Sequence, residues 1–480
     1  MKERGRHEQT GINALCLRAA LEEVLYDKRE CTAFVTEHDK ISYGNVAVQI
    51  EKQYNAYRSH CINRIALCMS NSIEFCIKLL TAILYLDEIY IFSPLYMESE
   101  MLQICKDNKV QVLDFGEGKT ILGHYPHIAE EKKDIRIILF TSGTMHASKG
   151  VILTGKNIYS NALAAIDCMK YKDTDKLLIT KPLYHSYGLT VELIAGLLVG
   201  AELYLDRGLF SVHKILRIMF EHQITVWCTI PALLFLFVDK SVSVPGSLRI
   251  IAVGGARSTE ILLKKARNLL EPIPIVQLYG LTEAGPLVTC TPIDMPTEKT
   301  ISIGKPVKGV KLELRDENDD LVTVPGRPGE LVVTGNGIMI GYLGDAKATR
   351  RVKRKGKLYT GDIGYFDIDN YYYIQDRIDA TIARDGINIS CSEIEDALMK
   401  LDGVEQASVI GIENILHSQI AIAFIRTSKK LDVRKVVLWC KAHGVFPPDD
   451  VMFIDDIPCN ENGKVNGKKL RTIYLAHKKD

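Results

Sequence analysis

The strongest constraint on this chain is an alternation. Short runs rich in Ile and Val, such as IRIILF, KLLIT, AELYL, TVWCT, LRIIAVGG and PIVQLYG, are separated by longer helix-like stretches. Apolar runs joined through helices are the pattern of parallel strands covered on both faces, so an α/β fold with mostly parallel sheets is expected. The tract ITVWCTIPALLFLFVDK reads as a strand followed by a helix, with Pro231 at the helix start, where its missing N–H costs nothing. After Glu313 the texture changes to LELRDENDDL, GELVVTGNG and GYFDIDNYYYIQD, short stretches between turn residues that predict antiparallel hairpins and a β-rich subdomain. Beyond Arg377 come a helix (SEIEDALMKL), two strands (ASVIGI, IAIAFIR), a helix (VRKVVLWCKAH) and a polar tail, a pattern that suits a small α+β lid domain. The expected division is therefore a large domain over residues 1–377 and a mobile C-terminal lid over 378–480.

Bulk properties narrow the function. At 480 residues the chain exceeds the usual size of a single core. A formal net charge of +1 argues against an electrostatic reader of nucleic acid, which carries a basic excess. Twelve cysteines are scattered from Cys16 to Cys459 without a C-x-x-C pair, so neither a zinc site nor a disulfide framework is predicted, and reduced thiols in a cytoplasm are the simplest reading. The opening residues MKERGRHEQTGINALC contain no apolar core for a secretory signal. The most apolar window, residues 224–238, falls short of the roughly 20 residues of a membrane span and holds Pro231. The basic run RRVKRKGK reads as a solvated face.

One loop carries a chemical signal of its own. In ILFTSGTMHASKGV a strand runs into Thr141, Ser142, Gly143 and Thr144, followed by Lys149 and Gly150. Glycine admits close backbone approach, successive N–H groups form an anion nest, and hydroxyls with an ammonium add donors, so such a loop can wrap phosphate oxygens. It is not a Walker A loop, because Ser148 and Gly150 flank Lys149 where Gly and Ser or Thr should stand. By itself the segment is equally compatible with an ordinary polar loop.

Together with six segments downstream of it, the loop resembles that of the adenylate-forming superfamily of acyl-CoA synthetases, nonribosomal adenylation domains and luciferases. PLYHSYGL (182–189), AVGGA (252–256), YGLTEAG (279–285), GELVVTGNGIMIGY, YTGDIGYFD and IPCNENGKVNGKKL resemble the family's signatures in their proper order, and SNSIEF near the N-terminus resembles its PNSPEF. The likeness spans nearly the whole chain. It implies an ATP-dependent enzyme that joins an organic acid to AMP, since a carboxylate accepts a thiol only once its oxygen has become a better leaving group. Cations and oriented donors must then offset charge on the α-phosphate and departing pyrophosphate, and Mg²⁺ is the metal the resemblance implies.

The resemblance also assigns roles. Thr141, Ser142, Gly143, Thr144 and Lys149 would hold phosphate, Thr282 would contact the α-phosphate and Glu283 would hold Mg²⁺, with a plain surface carboxylate as the alternative for Glu283. Tyr279 would stack on adenine, while Asp362 and Arg377 would take the ribose hydroxyls unless they form a loop ion pair. Gly254, Gly255 and Ala256 would line adenine and the acyl pocket, with Gly280 beside them. His185 would gate the reacting carboxylate, or be a core histidine. Lys464 in NENGKVNG would reach both the acyl carboxylate and the α-phosphate, or be a solvated loop lysine. Asp379 falls at the family's hinge.

Some positions depart from the family. Met145 and His146 stand where Thr-Gly is usual, Ser148 replaces a common proline, Asp376 replaces the glycine before Arg377, and Ala383 replaces a frequent lysine. His146 is expected to limit pyrophosphate handling, because it displaces a permissive glycine. PLYHSYGL carries no aspartate to pair with an α-ammonium, so an aryl or aliphatic acid is expected rather than an amino acid. CoA is the expected thiol. A phosphopantetheinylated carrier protein is the alternative, suggested by GKVNGKKL, and a non-catalytic nucleotide- or acyl-binding relative is the alternative of another class.

Overall fold

The computed structural model describes residues 16–123, 125, 134–141, 149–206, 211–377, 381–384, 387–414, 418–459 and 465–478. Its largest sheet is nine-stranded. Thr32–Val35, Glu202–Leu205, Lys176–Ile179, Val226–Thr229, Ile250–Gly254 and Ile275–Gly280 run parallel in that spatial order, and antiparallel strands lie at both edges. A seven-stranded sheet has Arg136–Thr141, Glu88–Ile91, Arg64–Leu67 and Val112–Asp114 parallel at its centre. The Ile- and Val-rich runs are these central strands. Val226–Thr229 leads into the helix Pro231–Asp239 with proline in its first turn, as the sequence predicts.

One continuous core joins the two parallel sheets through the helices Ile73–Tyr85 and Gly155–Met169, with Leu79, Ile83, Ile158, Ala162 and Ala165 all fully enclosed. It extends to Leu331 and Leu358 of a third, antiparallel sheet built from Val310–Arg315, Gly329–Gly335, Lys357–Phe366 and Tyr372–Arg377. These are the predicted hairpins. The expected α/β class therefore holds, with its β-rich subdomain.

The C-terminal part has its own sheet and core. Ile382, Ile389, Ile394, Leu398, Ala423, Ile425, Val436 and Cys440 pack together around the helices Cys391–Leu398 and Val433–Ala442. The predicted polar tail is corrected here. A strand, Asp450–Phe453, runs parallel to Ser418–Thr427, and the helix Gly467–His477 buries Leu470 and Tyr474 against that sheet's other face. The expected domain boundary and the hinge at Asp379 lie outside the described residues.

Candidate active site

The glycine- and hydroxyl-rich motifs gather beyond the carboxyl ends of the parallel strands. Gly254 and Gly280 end adjacent strands, Lys181 follows Lys176–Ile179, and Thr141 ends its strand in the second sheet. Open α/β sheets bind ligands at this end.

The phosphate-loop residues Ser142, Gly143 and Thr144, with Met145, His146 and Ser148, lie outside the described residues; the backbone around the gap is an antiparallel pair with Thr141 opposite Lys149. The Lys149 ammonium stands 4.9 Å from the Tyr342 ring, whose hydroxyl donates to Glu283 Oε1 at 2.7 Å. Burial and the Glu283 carboxylate push the Tyr342 phenol upward, so it stays a donor. Tyr342 is delivered by register: Gly341–Tyr342 pairs with the strand Lys149–Thr154, Tyr342 opposite Val151. Lys149 and Glu283, far apart in sequence, are thus bridged by a single ring.

The YGLTEAG turn is tied down from below. Asn161, enclosed in the helix Gly155–Met169, donates from Nδ2 to the carbonyls of Ala284 (3.3 Å) and Leu287 (2.9 Å) and accepts from the Leu287 N–H at 2.8 Å. Thr282, in the short helix inside the turn, exchanges a 3.0 Å hydroxyl contact with Ser186 of PLYHSYGL. At the other end of the turn the Tyr279 hydroxyl donates to Asp362 Oδ2 at 2.6 Å, and Arg377 Nη1 lies 3.1 Å from Asp362 Oδ1. Asp362 and Arg377 are directly opposed on a hairpin; the carboxylate is buried and the guanidinium half exposed.

Gly255 takes φ +90, which disfavours any side chain. A Cβ on Gly254 would come within 3.1 Å of Tyr187 Cε2 and 2.7 Å of the Leu278 carbonyl, so this glycine lets PLYHSYGL approach AVGGA beside the residue that precedes YGLTEAG. Half-buried Ala256 follows it. His185 donates its backbone N–H to the Pro182 carbonyl at 3.1 Å, with its ring 4.6 Å from that of Tyr184. Asn71 of SNSIEF explains that motif: its amide donates to the carbonyls of Lys181 and Asp206 and accepts from the Leu183 N–H at 2.8 Å, pinning the start of PLYHSYGL.

Lys464 and Asp379 lie outside the described residues. On either side of Lys464, Cys459 and Val465 form an isolated antiparallel bridge. Asp376, in the usual glycine's place, accepts from Ser390 Oγ at 2.7 Å and so ties the end of the hairpin to the N-cap of the helix Cys391–Leu398. Among the described residues no group of three or more His, Cys, Asp or Glu could enclose a metal, so Glu283 stands as a lone carboxylate. That fits Mg²⁺, which takes one or two carboxylates and fills its remaining positions with water and substrate phosphate.

Sequence alone does not single out Tyr342, Asn161, Ser186 or Asn71. Asn161 and Asn71 show only as amides inside apolar stretches, and Tyr342 closes the GIMIGY signature without a chemical reason until the register is known.

Glycine- and hydroxyl-rich turns gathered at the carboxyl ends of paired parallel sheets form the kind of ligand site that open α/β folds build. Residues 113–343 match the family described as AMP-binding enzyme, and 393–464 its C-terminal domain. A 2-succinylbenzoate–CoA ligase of Geobacillus sp. (strain WCH70) is 30% identical over 71% of this chain and 69% of its own length. 4-Coumarate–CoA ligase 1 of Narcissus pseudonarcissus is 30% identical over 76% of this chain and 70% of its own. The o-succinylbenzoate CoA synthetase of Bacillus subtilis, solved with its acyl-adenylate, superposes with a TM-score of 0.83 at 22% identity, covering 94% of this chain and 97% of that one. The chain belongs to the AMP-binding, adenylate-forming enzyme family.

Proposed function

We propose that the protein is an AMP-forming acid–thiol ligase that converts a carboxylic acid and ATP to acyl-AMP and pyrophosphate, then passes the acyl group to the thiol of CoA. The observation that carries this is the two-ended turn 279–285. At one end stands the Lys149–Tyr342–Glu283 group, suited to a triphosphate. At the other stands Asp362, an acceptor-only carboxylate held by Tyr279 and Arg377, suited to ribose hydroxyls. Thr282 lies between them, steered by Ser186, where an α-phosphate would sit. Mg²⁺ held by Glu283 and the phosphates would offset charge on the leaving pyrophosphate.

Lys149 and the loop 142–148 would hold the phosphates, the Tyr279 ring would cover adenine, and Gly254, Gly255, Ala256 and Gly280 would leave room for adenine and the acid. His185 would stand beside the reacting carboxylate. Lys464 on a lid hinged at Asp379, spanning 378–480, would cap the adenylate and then withdraw so that the thiol can enter. The acid is aryl or aliphatic. CoA as acceptor is supported by the ligase names of the relatives. Mg²⁺ is supported by the Bacillus subtilis synthetase, also solved with ATP and magnesium ion. A carrier-protein thiol is the alternative acceptor. A reducing cytoplasm accords with twelve unbridged cysteines, and no helix among the described residues is long and apolar enough to cross a membrane. ATP–pyrophosphate exchange with an acid panel tests the first half, and thioester formation with CoA and a phosphopantetheinylated carrier in parallel tests the second.

A further inference from the structure

Behind PLYHSYGL lies a group of polar side chains with no part in nucleotide binding. Lys181 is buried, its ammonium 3.3 Å from the centre of the Tyr187 ring and without a hydrogen-bond partner among the described residues. Glu192 is 1% exposed and neither carboxyl oxygen has a partner, and the Tyr187 hydroxyl is equally enclosed and unpartnered, with the Cys228 thiol beside both. An unpaired charge or an unmet hydroxyl held away from water is strongly disfavoured. Three such residues together are expensive unless something polar meets them there.

Their position says what that is. Ser186 reaches Thr282 on the nucleotide side, whereas its neighbour Tyr187 packs against Gly254 and carries Lys181 on its ring. The segment that bears Thr190 and Glu192, Gly188–Ile194, is a π-helix, a form concentrated at functional sites. Lys181 as an ammonium has donors only, and the Tyr187 hydroxyl can donate. Burial pushes the Glu192 carboxyl up to about 8, against the opposing influence of Lys181 and the Cys228 thiol, so at neutral pH it too carries a proton to donate.

We infer that Lys181, Tyr187 and Glu192 form a subsite for the end of the acid remote from the reacting carboxyl, and that this end bears an oxygen acceptor, either a second carboxylate or a carbonyl. The inference rests on the proposed acid-activating function and narrows its substrate class. Plain aliphatic acids would leave all three groups unmet, and an amine-ended acid would face Lys181.

Exchange assays with matched series of plain, ω-oxo, ω-carboxy and ω-amino acids, aliphatic and aryl and over several lengths, test it. The intact enzyme should favour an oxygen-ended acid over its plain counterpart by about tenfold or more, the worth of one hydrogen bond to a charged group. Lys181→Met should erase that preference, with the change in the KM for the acid rather than for ATP. Tyr187→Phe, which deletes one hydroxyl, should weaken it in the same sense and serves where Lys181→Met does not fold. The oxo and carboxy arms distinguish the two acceptors. Exchange that is equal for plain and oxygen-ended acids, best with an amine-ended acid, or unchanged in its preference by either substitution overturns the subsite and leaves adenylation standing. Exchange with no acid at all overturns the proposed function, and the subsite with it.

Discussion

Asp362 illustrates how much of this site is set residue by residue. Its oxygens meet the Tyr279 hydroxyl and the Arg377 guanidinium, so the carboxylate is oriented before the proposed ribose contact forms. Asp362→Ala should raise the KM for ATP about tenfold or more, whereas Tyr279→Phe, which leaves the Arg377 contact, should raise it less; steady-state kinetics at saturating acid read both. Glu192 gives a second test at this scale. Its folded pKa of about 8 exceeds the ordinary 4.5, so its contribution to stability is full below about 4.5 and is lost as pH rises through about 8. Glu192→Gln should therefore gain on the parent in urea unfolding between pH 5 and 9. Parallel curves for the two would contradict the assignment. Glu283, Asp362 and Thr282 were legible in sequence because their flanking motifs keep a recognisable order. Tyr342 and Asn161 were not, because each acts through a partner more than fifty residues away that only strand register or helix packing supplies.

At the scale of elements, the parallel strands declared themselves through Ile and Val content, and the hairpins after Glu313 through alternation and turn residues. Two elements did not. GLTVELIAGLLVG is apolar on every side except at Thr190 and Glu192, so its periodicity marks no face and gives no hint of a π-helix at Gly188–Ile194. The helix Gly467–His477 rests on only two buried residues, Leu470 and Tyr474, too few to stand out from a charged tail. What joins elements at the site is mainly side-chain amide bonding to backbone. Asn161→Ala would leave the Leu287 N–H and two carbonyls without their partner beneath the turn 279–285. A loss of about 2–4 kcal/mol is expected. Denaturant unfolding should show that loss together with a reduced kcat, because the displaced turn carries Thr282 and Glu283. Full activity in a destabilised variant would mean that the turn is held elsewhere.

For the molecule as a whole, the proposed function asks one site to serve two reactions, since a lid with Lys464 over the adenylate would leave no path for a thiol. Rotation at Asp379 would resolve this by alternating which face of the C-terminal domain meets the large one. Removing a donor aimed at developing charge costs on the order of 10²–10³ in rate, so Lys464→Ala should cripple adenylation yet consume supplied acyl-AMP nearly normally. Asp379→Pro, by fixing φ, should spare adenylation and slow thioester formation. Single-turnover assays of each half separate the two, and equal losses in both halves for both variants would show that the lid does not alternate. The proposed function rests on carboxylate activation by ATP at the turn 279–285. The most direct measurement is exchange of labelled pyrophosphate into ATP by the intact protein with Mg²⁺ and a panel of aryl, aliphatic and amino acids. The expected result is exchange that depends on an aryl or aliphatic acid and is abolished in Lys464→Ala. Absence of acid-dependent exchange across the panel, or exchange supported by amino acids alone, would contradict carboxylate activation of this kind.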